Sequence, residues 1–179
     1  MTSSDETLYD QATADALRDR AGTNLVGGHD GRGLRIGIAC GRFNGGITLR
    51  LLDAALATLR ECGVDTADII VAWAPGAFEL PLLARGFAMS ARPVDAVITL
   101  GAVIRGDTGH YDVVAGECAR GVQDVQLMTG VPVVFGVLTT NTVAQALERS
   151  LPDDTNKGRE SALTALEMAT ILREGSFSR

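Results

Sequence analysis

The sequence predicts an α/β fold: a parallel sheet with helices on both faces. Three observations predict it. Short β-branched runs alternate with longer stretches whose apolar residues recur at helical spacing. One run, VDAVITLGAVI at 94–104, is apolar almost throughout, as a central parallel strand covered on both faces should be. Glycine-rich loops separate the runs and supply the turns that a layered α/β chain needs.

The elements follow in order. LRIGIAC (34–40) reads as the first strand. The stretch 45–63 places Ile47, Leu51, Ala55 and Leu59 on one helical stripe, with Gly63 as its C-terminal stop. DIIVAWA (68–74) reads as a strand and 77–91 as a helix, with Pro81 early enough for the first turn. After the strand at 94–104, residues 110–130 have a helical pattern closing on Gly130. VPVVFGVLT (131–139) reads as a buried strand, and 141–150 and 157–175 as two further helices split by LPDD at 151–154. Four strands are few for such a sheet, so part of the N-terminal segment could add an edge strand, in this chain or a neighbour.

Residues 1–32 differ from the rest. Residues 7–20 suggest a weakly amphipathic helix, with Leu8, Ala12 and Ala16 in line, and a patternless glycine-rich stretch follows. The division expected is a flexible extension (1–32), one domain (33–175) and a short tail (176–179). His29 falls in the extension and reads as a solvent-exposed bystander.

Bulk properties exclude several functions. A formal net charge of −6 over 179 residues argues against a nucleic-acid or anionic-membrane partner, since both select a basic face. No apolar run approaches the ~20 residues that span a bilayer, and the polar start lacks a secretory pattern, so a cytoplasmic protein is expected. Cys40, Cys62 and Cys118 are far apart and odd in number, and two histidines support no common zinc constellation. Buried free thiols and no metal are expected.

In open α/β sheets ligands gather beyond the carboxyl ends of the strands. The loops there are GRFNGG (41–46), PGAFE (75–79), RGDTGH (105–110) and TTN (139–141). No dinucleotide G-x-G-x-x-G follows the first strand, and no P-loop occurs. RGDTGH reads as an anion turn: glycines admit a ligand close to the backbone, and the next helix offers free N–H groups and its dipole. Thr108 adds a hydroxyl, and His110 stands beside it as a proton carrier, or else as a first helical residue bonded to a carbonyl. Pro75 and Gly76 suit a type II turn. Phe78 is either core or ligand contact. Phe43, with no periodic partner, could stack on a planar ring. Arg149 and Lys157 either serve the site or complement helix dipoles.

Together RFN (42–44), PGAFELP (75–81), GAVIRGDTGHYD (101–112), FGVLTTNT (135–142) and NKG (156–158) resemble the 6,7-dimethyl-8-ribityllumazine synthase family. The resemblance covers roughly residues 34–173. It implies a flavodoxin-like three-layer αβα sandwich with a central parallel four-stranded sheet, so that 33–175 is a lumazine synthase-like domain. It implies a transferase of riboflavin biosynthesis that condenses 5-amino-6-(D-ribitylamino)uracil with 3,4-dihydroxy-2-butanone 4-phosphate. The products are the lumazine, phosphate and water, and no cofactor is used. It also implies a homo-oligomer, a pentamer or an icosahedral shell of pentamers, with sites between subunits. Riboflavin synthase is a candidate partner.

The resemblance assigns roles by position. Phe43 would stack on the pyrimidine, with Asn44 beside it. Ala77, Phe78 and Glu79 would hold the ribityl chain, and Ala102, Val103 and Ile104 would present backbone groups to the ring. Gly106, Asp107 and Thr108 match the phosphate turn, with Arg149 supplying charge, and His110 the proton-transfer histidine. Phe135, Arg149 and Lys157 match residues that a neighbouring subunit contributes. One departure is SLPDDTN (150–156), where many members carry a glycine- and lysine-rich stretch; Asp153 and Asp154 are expected to make the rim more negative. Rival readings are a non-catalytic lumazine or flavin binder, a shell-forming paralogue, and an unrelated FMN-binding flavodoxin, whose phosphate loop the first loop here lacks.

Overall fold

A computed structural model of the chain describes residues 9–175. Four strands, β1 (Ile36–Gly41), β2 (Ile69–Ala74), β3 (Ala96–Ile104) and β4 (Val133–Thr140), form one parallel sheet in the order β2-β1-β3-β4. The chain steps one way from β1 to β2, then crosses back to β3 and on to β4. The switch point is therefore between β1 and β3, where open α/β sheets carry their ligands.

Alternation along the strands builds two cores. Ile36, Ile38, Cys40, Ile98 and Leu100 face one side, against α2 (Gly45–Glu61) and α6 (Lys157–Glu174). Ala39, Val97 and Val103 face the other, against α3 (Leu80–Ala88) and α4 (His110–Thr129). Each large side chain so buried contributes about 1.5–3 kcal/mol, which is why the period-2 strands and helical stripes lock in this register. β3 is buried along nearly all its length, as its continuous apolar run requires.

Most boundaries fall within two residues of those read from sequence. Gly63 and Gly130 take left-handed backbone just past α2 and α4 and end both helices. Two helices are shorter than expected. The 77–91 segment opens as a 3-10 turn (Ala77–Glu79) before α3, and α5 runs only from Val143 to Glu148, before the 150–156 loop. At Gly158, in the first turn of α6, an added Cβ would lie 2.0 Å from the Leu51 carbonyl oxygen, so only glycine lets α6 approach α2 this closely.

Among the described residues the N-terminal segment adds no strand. A helix α1 (Gln11–Arg18) forms, capped by the Asp10 carboxylate on the Thr13 N–H, but it buries nothing. Ala12 and Ala16 are exposed, and Leu8 lies outside the described residues. The following stretch runs over the helix layer: Thr170 Oγ1 accepts the Gly28 N–H at 2.9 Å and donates to the Gly28 carbonyl at 3.0 Å. The Gly31 N–H donates to the Cys62 carbonyl. These bonds fasten the backbone at Gly28 and Gly31 to the helix layer and not to a sheet edge. His29 is exposed.

Candidate active site

The loop after β1 is laced to both neighbours. The Arg42 and Phe43 N–H groups donate to the carbonyls of Ala74, the last residue of β2, and Pro75, the first of the loop after it, at 2.9 and 3.1 Å. On the other side, Asn44 Nδ2 donates to the Ala102 carbonyl at the end of β3, 2.9 Å away. Asn44 takes left-handed backbone, the only described non-glycine residue to do so, and asparagine is among the few types that tolerate it. The switch point is thus tied across three strand ends, and Phe43 is left 70% exposed with its ring in the open.

The loop after β2 corrects the expected turn. Gly76 is extended, at φ −151° and ψ −169°, so no type II turn forms at Pro75–Gly76. The Glu79 carboxylate takes the Gly76 N–H at 3.1 Å and closes a 3-10 turn instead. That turn buries Ala77 but presents Phe78, 53% exposed, which settles against a core role for its ring.

β3 delivers the third wall. Ala102 and Val103 are buried, Ile104 is half-buried, and residues 106–109 lead into α4, whose first residue is His110. No residue at the N-cap position caps α4 with its side chain. Of the N–H groups in its first turn, that of Asp112 donates to the Gly109 carbonyl at 3.2 Å, and that of Tyr111 has no partner among the described residues and stays open to a ligand. The His110 N–H makes a long 3.4 Å contact to Thr108 Oγ1; the imidazole forms no hydrogen bond among the described residues, so the carbonyl-bonded alternative does not hold.

These loops enclose a cleft of ≈ 670 Å³. Phe43, Asn44, Ala77, Phe78 and Glu79 line it from the first two loops. Ala102, Val103, Ile104, Gly106, Thr108 and His110 line it from the third. Asp107 is exposed and does not line it.

Three predicted residues lie elsewhere. Phe135, Arg149 and Lys157 line a separate depression of ≈ 360 Å³ along β4, which shares no lining residue with the first cleft. Arg149 caps the C-terminus of α5, where a cation suits the dipole, and its guanidinium forms no ion pair among the described residues. Lys157 is the first residue of α6, the wrong end for a cation, so dipole complementation does not account for it; Glu160 pairs with it instead. The 150–156 loop is pinned by Asn156, which donates to the Leu151 carbonyl and accepts the Gly158 and Arg159 N–H groups.

The sequence matches the family model for 6,7-dimethyl-8-ribityllumazine synthase over residues 33–173. The chain belongs to the 6,7-dimethyl-8-ribityllumazine synthase family. All four strands and both cavities fall inside that match. Its α/β fold with an all-parallel four-stranded sheet is that of the lumazine synthases. The family belongs to riboflavin biosynthesis and implies a transferase-type enzyme with small-molecule substrates and an oligomeric assembly.

Other features of the candidate site in this lumazine synthase family member were not anticipated. Arg105 forms a bidentate pair with Asp112, lies 4.0 Å over the Tyr111 ring, and reaches Asn141. The hydrogen bond from Arg105 holds the Asp112 carboxyl below its ordinary range. Glu160 beside Lys157 was equally unseen; its i, i+3 spacing on a helix was the available signal. In the departing loop, Asp153 is engaged by Thr155, which holds its carboxyl below its ordinary range, and Asp154 by Arg159. Burial pushes the Cys40 and Cys118 thiols up to about 11, so neither supplies a thiolate near neutral pH. Among the described residues no cluster of three or more His, Cys, Asp or Glu could hold a metal, and no helix is long and apolar enough to cross a membrane.

Proposed function

We propose that the chain condenses 5-amino-6-(D-ribitylamino)uracil with 3,4-dihydroxy-2-butanone 4-phosphate to 6,7-dimethyl-8-ribityllumazine, releasing phosphate and water. The observation that carries this reading is one cleft holding two exposed phenylalanine rings beside an uncapped helix start and an unbonded imidazole. Rings suit a planar pyrimidine, open N–H groups suit a phosphate, and His110 suits the proton transfers between them.

In this reading Phe43 stacks on the pyrimidine, with Asn44 fixing the loop beneath it. The Ala77–Glu79 turn holds the ribityl chain, with the Glu79 carboxylate accepting from its hydroxyls. Ala102, Val103 and Ile104 present backbone groups to the ring edge. Gly106 and Thr108, which line the cleft, bind the phosphate, and Asp107 between them contributes its backbone and not its exposed carboxylate. The amine attacks the ketone and one water leaves to give an imine; phosphate is then eliminated, and the ribitylamino nitrogen closes the ring on the remaining carbonyl with loss of a second water. His110 accepts and returns protons along that course. Both substrates are intrinsically reactive, so much of the acceleration comes from holding them together.

Phe135, Arg149 and Lys157 complete the site from a neighbouring subunit. Support comes from their separation within one chain: the β4 depression and the cleft share no residue. A closed ring of such head-to-tail contacts gives each cleft one neighbouring β4 edge. A pentamer, alone or in a shell, is the assembly proposed, in the cytoplasm, with riboflavin synthase as the candidate downstream partner. The domain is assigned to residues 33–175; the segment before it is fastened to that domain at Gly28 and Gly31, and residues 1–8 lie outside the described residues. A non-catalytic binder would retain the rings but need neither His110 nor Arg149, and both are present.

The test is to mix purified protein with both substrates and follow lumazine absorbance and phosphate release. The reading predicts equal amounts of both, well above the spontaneous rate. Tight lumazine binding with no added rate would instead support the binder.

A further inference from the structure

The turn at 106–109 has little to hold it. It contains two glycines at which an added Cβ would meet nothing within 4 Å, and the helix it enters has no side-chain cap. An unsupported turn would spend entropy on ordering each time it bound an anion. Within it, the Asp112 N–H meets the Gly109 carbonyl at 3.2 Å and the His110 N–H makes the long contact to Thr108 Oγ1; the ties from the turn to the rest of the rim lie at its two ends, and Arg105 makes them. The Arg105 N–H donates to the Thr140 carbonyl at 2.9 Å, which ties the start of the turn to the end of β4. Its side chain then spans the turn. Nη2 and Nη1 donate to the two Asp112 oxygens at 2.9 and 3.2 Å, the guanidinium lies 4.0 Å from the Tyr111 ring centroid, and Nε donates to Asn141 Oδ1 at 3.2 Å.

We propose that Arg105 is the positioning residue of the anion turn. Its planar fork grips the first turn of α4 through Asp112 and Tyr111 and the loop after β4 through Asn141. Residues 106–109 are thereby held in binding geometry, and His110 is kept at the cleft. Arginine alone has the shape for this, because a bidentate grip, a ring stack and a third donor act at once. Arg105 does not line the cleft and acts on substrate only through the turn. The pair is exposed, so its contribution to global stability is small. A positioning role therefore separates from a merely structural one.

The kinetic part rests on the reading under Proposed function, so two readouts are used, only one of which needs that reading. Arg105→Ala should raise KM for the phosphate-bearing substrate by about tenfold, with KM for the pyrimidine unchanged and kcat within about threefold. Arg105→Lys should fall between, because it keeps the charge and loses the fork. Asp112→Ala should reproduce the effect, and the double variant should be no worse than either single one. Independently, mass-spectrometric hydrogen exchange on the peptide spanning 104–114 should show about tenfold faster uptake at the amides of Arg105 and Asp112, with uptake in α2 and α6 unchanged. Unchanged exchange overturns the clamp, whatever the kinetics. So does an equal rise in both KM values, or additive effects of the two single variants. If the wild-type protein shows no turnover, the assigned reaction fails, and the clamp stands or falls on exchange alone.

Discussion

Asn44 and Ala102 are joined across the switch point: the side-chain amide of one meets the carbonyl of the other at 2.9 Å, from a left-handed backbone at φ 58°. The bond crosses from the loop after β1 to the end of β3 and sets the base of the cleft. Asn44→Ala removes the donor and places a Cβ-bearing residue without local polar compensation in left-handed backbone, so it should destabilise by about 1–3 kcal/mol in urea. Asn44→Gly relieves the backbone term and should recover part of that loss, while pyrimidine KM stays raised in both. Equal stability of the two variants would separate the bond from the backbone conformation and assign the whole loss to the bond.

His110→Ala should lower kcat about 10- to 100-fold and leave turnover measurable above the spontaneous rate, because positioning survives the loss of one proton carrier. Steady-state rates with both substrates saturating check it. An unchanged kcat removes His110 from the chemistry.

Arg149→Ala should raise KM for the phosphate-bearing substrate about 10- to 100-fold, the loss of one charge-assisted contact, and leave the pyrimidine KM near its original value. Initial rates with each substrate varied in turn distinguish the two.

The buried thiols give stability an alkaline limit. Cys40 and Cys118 are raised by burial from 9.0 to about 11, so the folded state keeps protons that the unfolded state has shed. Their contribution is complete below about pH 9 and is lost as pH rises toward 11. Urea midpoints across pH 8–11 should fall in that window and stay flat below it. A thiol reagent at pH 8 should find only the half-buried Cys62 in native protein and all three thiols in denaturant.

Gly158→Ala should cost about 3 kcal/mol or more, because the new methyl meets the Leu51 backbone rather than a movable side chain. Circular dichroism in urea reads the loss directly. A neutral outcome would mean that α6 can back away from α2.

The layers of the fold were legible because hydrophobic period reports burial. The run at 94–104 has the continuous apolar character of a covered parallel strand, and Gly63 and Gly130 mark the helix ends that they in fact close. The Pro75–Gly76 turn was misread because turn preference is local, whereas the Glu79 carboxylate three residues on decides the conformation. Among the described residues the N-terminal segment adds no strand to this sheet; the Gly28 N–H and carbonyl meet Thr170 instead, a tertiary fact with no sequence period. At the candidate site, residue types pointed to the cleft that the fold forms: an unpaired phenylalanine, a glycine turn, a histidine. The supports did not announce themselves. Arg105 and Asn141 meet across 36 positions, and Asn44 and Ala102 across 58, separations that one sequence does not relate. Phe78 could be core or ligand contact on sequence alone, and the 3-10 opening turns it outward.

The central claim is a condensing site made of two half-sites from adjacent subunits, and co-refolding tests it most directly. One parent carries Phe43→Ala and His110→Ala, and the other carries Arg149→Ala and Lys157→Ala, so that each has one intact half and little turnover of its own. Refolded together in equal amounts, random head-to-tail rings should regain about a quarter of wild-type lumazine formation, since one contact in four joins two intact halves. Activity no greater than the mean of the two parents, in rings shown to be mixed, would contradict a shared site.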